Sequence, residues 1–187
     1  MVGKATFSEA VAKVMQLLEG VPDPEVPVLS VVDLGIIREV RVQQPDTAPG
    51  QDAPDRRGTG RGPAVTVVIT PTYTGCPAMD MIRATIRMTL ASAGYNPVDI
   101  QTVLSPAWTT EWLSENARQK LEAFGIAPPN PVPSVCHPDL FQPDDAVRCP
   151  RCQSYRTELV SRFGSTACKA LYKCNDCHEP FDYFKCH

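Results

Sequence analysis

Thr70-Pro71-Thr72-Tyr73-Thr74-Gly75-Cys76-Pro77-Ala78-Met79-Asp80 is the stretch on which the fold turns. Before it, Val65-Thr66-Val67-Val68-Ile69 is a β-branched apolar run with the composition of a buried strand. After it, Met79, Ile82, Ile86, Leu90 and Ala93 recur at helical spacing. Pro77 suits the first helical position, where its fixed φ fits and its missing N–H is not needed. Cys76 therefore falls at the mouth of a helix. Unpaired backbone N–H groups and the helix dipole favour a thiolate there, which predicts a lowered thiol pKa. A small buried capping residue is the other reading of the same cysteine.

Working outward, Thr6-Phe7-Ser8-Glu9 has the form of a capping box. Phe7, Val11, Val14 and Leu18 share one face, which predicts an amphipathic helix over residues 7–19, closed by Gly20. Val21-Pro22-Asp23-Pro24-Glu25-Val26-Pro27 must take an extended, kinked path, because each proline restricts itself and the residue before it. A strand follows and runs to about Val42. Residues 43–63, rich in Pro, Gly, Asp, Gln, Thr and Arg, read as a flexible loop between two strands. Beyond Gly94, Val98–Leu104 reads as a half-buried strand, and Leu113, Ala117, Leu121 and Phe124 as a third helix stopped by Gly125. Thr109 and Ser114 are both candidates for its cap.

The order is helix, strand, strand, helix, strand, helix. The first two strands should pair antiparallel, since no crossover helix joins them. The helix after Cys76 should set the third strand parallel to the second. This is an α+β fold: a small mixed three-stranded sheet packed with helices over residues 1–126, followed by a small C-terminal zinc ribbon. Six prolines between Ala127 and Arg148 predict a stiff linker over 127–148.

Residues 149–187 carry the strongest local signal. Cys149-Pro150-Arg151-Cys152 and Cys174-Asn175-Asp176-Cys177 are two C-x-x-C pairs with 21 residues between them. Each pair can hold one side of a metal ion from a tight turn, and two such turns face to face make a tetrahedral thiolate site. So short a module buries too little core to fold unaided, and a structural zinc would supply the missing free energy. An iron–sulfur cluster is the rival occupant, with Cys168, Cys186 and His187 as further ligands. Cys136 has no assigned role. The module's net charge of +2 does not support nucleic-acid binding, and the whole chain, at −3, carries no field toward nucleic acid or an anionic membrane. No apolar run reaches the length of a signal peptide or membrane span, and eight cysteines without an export signal read as metal or thiol chemistry in the cytoplasm.

A second candidate site combines Cys76 with Asp23 and Glu25, whose proline-braced backbone can aim carboxylates inward. One thiolate with one or two carboxylates can hold iron transiently with open coordination positions. It lacks the histidine and oxyanion arrangement of a cysteine hydrolase.

Asp23-Pro24-Glu25-Val26-Pro27, Val32-Asp33-Leu34-Gly35-Ile36-Ile37 and Thr70-Pro71-Thr72-Tyr73-Thr74-Gly75-Cys76-Pro77 resemble the signature of SufT-type iron–sulfur assembly domains. Trp108-Thr109-Thr110-Glu111-Trp112 and Ala117-Arg118-Gln119-Lys120-Leu121 extend that likeness over roughly residues 6–126. Phe163-Gly164-Ser165-Thr166-Ala167-Cys168-Lys169-Ala170-Leu171-Tyr172 and the ending Glu179–His187 add a narrower one, to the D-protein family of the bacterial phenylacetyl-CoA epoxidase system, the PaaD family. The resemblance implies an accessory protein rather than an enzyme. It would mature an iron or iron–sulfur centre in the oxygenase or its reductase during aerobic phenylacetate degradation. Its partners would be those components or iron–sulfur assembly proteins, not nucleic acid or membrane. Cys76 would be the functional cysteine, with Asp23 and Glu25 near it. Two other readings stand beside this one: a stable structural subunit of the oxygenase complex, and a thiol enzyme using Cys76.

Overall fold

The computed structural model describes residues 3–44, 62–129 and 147–185. Most of the expected loop at 43–63 and linker at 127–148 lies outside the described residues, as do Cys136, Cys186 and His187. The chain divides into two compact units, the first of residues 1–24, 30–32 and 36–107, the second of 25–29, 33–35 and 108–187.

In the first unit, α1 (Gly3–Glu19) is followed by β1 (Ile37–Gln43), β2 (Ala64–Ile69), α2 (Ala78–Ser92) and β3 (Val98–Thr102). The sheet order is β1-β2-β3. β1 and β2 are antiparallel, and β2 and β3 parallel, with Val65 opposite Val98 and Ile69 opposite Thr102. This is the mixed sheet expected from sequence. β2 is central, so its Val65, Val67, Val68 and Ile69 are all buried. α1 packs on β1 and α2, and α2 packs on β3. Val14 and Leu18 of α1 and Ile82, Ile86 and Leu90 of α2 are 2% exposed or less. Each such side chain contributes about 1.5–3 kcal/mol on burial.

Two local expectations are corrected. α1 begins at Gly3, so Thr6-Phe7-Ser8-Glu9 lies inside the helix and not at its start. Threonine and serine cost a helix interior only a few tenths of a kcal/mol, so a capping box marks a permitted start and not an obligatory one. Ala93 is exposed just past the end of α2, where Gly94 at φ 92° turns the chain away.

In the second unit, a 3₁₀ turn (Thr110–Trp112) leads to α3 (Glu115–Phe124), β4 (Ile126–Ala127), β5 (Thr157–Ser161), β6 (Lys169–Cys174) and β7 (Pro180–Phe184). Ser114 is the cap of α3, its Oγ accepting from the Ala117 N–H at 2.9 Å. The sheet order is β4-β7-β6-β5, parallel between β4 and β7 and antiparallel elsewhere. Its core stacks Tyr172 on Phe181, ring centroids 6.0 Å apart, with Tyr183 edge-on at 5.6 Å.

Trp108 and α3 fall in the second unit. The reason is β4: α3 runs into a two-residue strand that pairs with Asp182 and Tyr183 of β7. The same unit holds Asp33–Gly35. Asp33 Oδ2 pairs with Lys120 Nζ at 2.6 Å, its Oδ1 accepts from Asn116 Nδ2 at 3.3 Å, and its carbonyl accepts from the Ser114 N–H at 3.2 Å. Trp108 is buried, donates from Nε1 to the Leu34 carbonyl at 2.8 Å and meets Phe184 edge-on at 6.4 Å. Gly35, at φ 65°, passes beneath Trp112 so closely that a Cβ there would lie 2.3 Å from the Trp112 carbonyl oxygen. Asp33 is therefore a tie for α3, which sequence spacing alone does not reveal.

Candidate metal centres

The four cysteines of the ribbon converge as their spacing predicts. Cys149 Sγ lies 3.8 Å from Cys177 Sγ and Cys152 Sγ 3.5 Å from Cys174 Sγ, and all four sulfurs fall within 4.8 Å of one another. Thiolates at about 2.3 Å around tetrahedral zinc stand about 3.8 Å apart, so the donor set and its size fit that ion.

The two turns share a backbone design. The Cys149 N–H donates to the Ser154 carbonyl at 2.9 Å, and the Cys174 N–H to the Glu179 carbonyl at 3.0 Å, the same five-residue step. The residue after each second cysteine is left-handed, Gln153 at φ 65° and His178 at φ 62°. Backbone N–H groups of Cys177 and Asp176 aim at the Cys174 sulfur and lower its pKa to about 7. The Glu179 N–H lowers the Cys177 thiol, but desolvation and the three neighbouring thiols outweigh it and push the value up to about 12. Four crowded sulfurs cannot all ionise without a cation among them.

Cys76 is set by its backbone. Its N–H closes a turn onto the Tyr73 carbonyl at 3.3 Å, with Gly75 at φ 85°, and its carbonyl accepts from the Met79 N–H at 3.3 Å. The thiol is half-buried and, among the described residues, in no disulfide. Pro77 follows with helical dihedrals, φ −68° and ψ −22°, so α2 opens as the sequence implies, one residue later than expected. Six residues upstream, the Thr70 hydroxyl is buried with no hydrogen-bond partner among the described residues. Asp23, also in the first unit, is buried at the start of a loop closed by the Pro22–Ser30 bridge and by the Val31 N–H on the Val21 carbonyl at 3.0 Å.

Glu25 belongs to the second unit. Its Oε2 accepts from the Cys168 thiol at 3.2 Å, and its carbonyl accepts from Lys169 Nζ at 3.2 Å. Burial pushes the Cys168 thiol up to about 12, the Thr166 hydroxyl opposing and the Glu25 carboxylate adding to it. Cys168 is thus a protonated donor that holds Glu25. Sequence reading places Cys168 only among spare cluster ligands, because 143 residues separate it from Glu25 and no local pattern links them. Among the described residues no helix is long and apolar enough to cross a membrane.

The structure defines a class: a small α+β assembly with a mixed three-stranded sheet, carrying a zinc ribbon. Residues 134–185 match the PaaD zinc beta ribbon domain. The chain is 44% identical over 176 residues to the D protein among the subunits of the "Putative 1,2-phenylacetyl-CoA epoxidase" of Escherichia coli K12, covering 94% of this chain and 93% of that one. The chain belongs to this family of epoxidase D proteins. It is also 33% identical over 116 residues to the "Fe-S protein maturation auxiliary factor" of Porphyromonas gingivalis W83, covering 62% of this chain and 93% of that protein. A solved domain of unknown function, DUF59, from Bacillus anthracis aligns at 23% identity and TM-score 0.49, covering 63% of this chain and 95% of that one.

Proposed function

We propose that the chain is a cytoplasmic accessory factor, not an enzyme, that helps assemble an iron or iron–sulfur centre in a phenylacetyl-CoA epoxidase system. The observation carrying this reading is Cys76, pinned through both its backbone groups ahead of α2, in a chain one-third identical to an iron–sulfur maturation factor over nearly all of that protein's length. The metal is cargo. Cys76 supplies the thiolate, and Asp23 and Glu25 supply carboxylates. A carrier must bind well enough to load and loosely enough to release, and a mixed site does this better than four thiolates. The buried Thr70 hydroxyl, without a partner among the described residues, adds a polar group in the same loop. Cys149, Cys152, Cys174 and Cys177 hold a structural zinc, whose bonding stabilises the ribbon and takes no part in transfer. The oxygenase and reductase components, or iron–sulfur assembly proteins, are the partners.

The test is iron and sulfide content after purification without oxygen, followed by ferrous titration. Cys76→Ser should lower iron or cluster binding at least tenfold and leave zinc content and fold intact. Asp23→Asn and Glu25→Gln, which keep shape and remove charge, should each weaken binding severalfold. Wild-type binding in Cys76→Ser would overturn the transfer reading, and wild-type binding in both acid variants would remove the acids from the site. That the E. coli relative is named as one of the epoxidase's subunits favours a second reading, a stable structural component of the oxygenase. Active oxygenase purified without this chain would exclude it.

A further inference from the structure

The core face of α2 is the one read from sequence: Met79, Ile82, Ile86 and Leu90 are buried. The opposite face is apolar too. Met81, Ala84, Met88 and Ala91 are all exposed, Met81 at 59% and Met88 at 60%. At about 100° per residue these four cluster about 180° around the helix from the core residues. Their steps of three, four and three are the a/d spacing of a two-heptad seam. The outward pole of a surface helix ordinarily carries charge; here the charge is confined to one border. Asp80, the one acid of α2, and Arg87 lie there; Arg83, about 40° further toward the core, engages Asp80 through Nη1 at 2.7 Å and donates from Nη2 to Thr102 Oγ1 at 3.0 Å. Thr85, Thr89 and Ser92 make an uncharged border on the other side.

We propose that this face docks an amphipathic helix of the protein that receives the metal. That helix would carry apolar residues at heptad spacing and an acidic residue on the border facing Arg87. The proposal rests on the transfer reading above and names the surface that serves it. Alternation of Met with Ala offers holes at Ala84 and Ala91 and flexible knobs at Met81 and Met88, a surface that adapts to its guest. A second copy of this chain fits less well. Antiparallel pairing with Met88 on Ala84 brings the two Arg87 side chains together, and parallel pairing sets alanine against alanine. The seam spans about 15 Å of helix, a small interface that favours transient contact, as a releasing carrier requires. α2 opens directly after the Cys76 turn, so a guest seated on its first turns comes beside that thiol.

The test uses the full chain with a benzoylphenylalanine photo-cross-linker at position 81 or 88, and at exposed Gln101 on β3 as control. The probes are the purified oxygenase and reductase components of a phenylacetyl-CoA epoxidase. Positions 81 and 88 should cross-link one component at least tenfold more than position 101, on an acid-bordered helix. Excess unlabelled wild type should compete, Met88→Glu should not, and Arg87→Glu should compete at least fivefold more weakly. Cys76→Ser should compete as well as wild type whether or not it transfers metal, so failed docking and failed transfer are read apart. Cross-linking no stronger than at position 101, or joining two copies of this chain, would overturn the proposal.

Discussion

Gly35→Ala is the sharpest test of how the second unit is built. At φ 65° an alanine costs about 1–2 kcal/mol in backbone strain. The new Cβ would also sit 2.3 Å from the Trp112 carbonyl oxygen and 2.9 Å from Trp112 C and Cβ. Backbone cannot swing aside as a side-chain tip can. The 3₁₀ turn must shift, and with it the neighbouring Trp108–Leu34 hydrogen bond of 2.8 Å. Overpacking of this kind costs a further 1–3 kcal/mol or so, for a sum of about 2–5 kcal/mol. Gly75→Ala is the control: its φ of 85° incurs similar strain, but nothing lies within 4 Å of its Cβ, so it should cost only about 1–2 kcal/mol. Urea unfolding followed by tryptophan fluorescence suits the comparison, because of the chain's two tryptophans Trp108 lies just before the affected turn and Trp112 ends it. Equal destabilisation by the two alanines would refute the close approach of Gly35 to Trp112.

Elemental analysis should find one zinc per chain, and Cys152→Ser should release it and unfold the ribbon; iron and sulfide that vanish with this variant would instead assign a cluster. Gln153→Gly should retain zinc with stability changed by less than about 1 kcal/mol, the relieved left-handed strain being offset by loss of the Nε2 hydrogen bonds to Glu122 Oε1 at 3.1 Å and to the Pro150 carbonyl at 3.3 Å, and a loss of zinc would show that its side chain supports the turn. Cys168 should resist alkylation at neutral pH while the protein is folded. Below about pH 8.5 its thiol is protonated in both states; between there and about 12 the unfolded chain gives up that proton and the folded one does not. Stability must therefore fall as pH rises through this window, and Cys168→Ala should flatten the slope measured by urea unfolding.

Much of the molecule is legible without any coordinates. The 3.6-residue period of α2, the β-branched run of β2 and the αL stop at Gly125 are local effects, decided within a few residues by sterics and burial. The paired C-x-x-C turns are equally legible, because two-residue spacers leave the backbone few ways to present two sulfurs to one ion. What the sequence could not determine were the contacts between distant segments. β4 is two residues long, too short for any period, and exists because β7 offers it a free edge. Asp33 appears in sequence only as part of the Val32–Ile37 stretch of the assembly-domain likeness and is in the fold a strut for α3. Glu25 reads as an iron ligand by its neighbours in sequence, and only the folded chain brings the Cys168 thiol to it. Local elements follow from short-range preferences, whereas such long-range pairs depend on which polar groups are left to satisfy once the cores have closed.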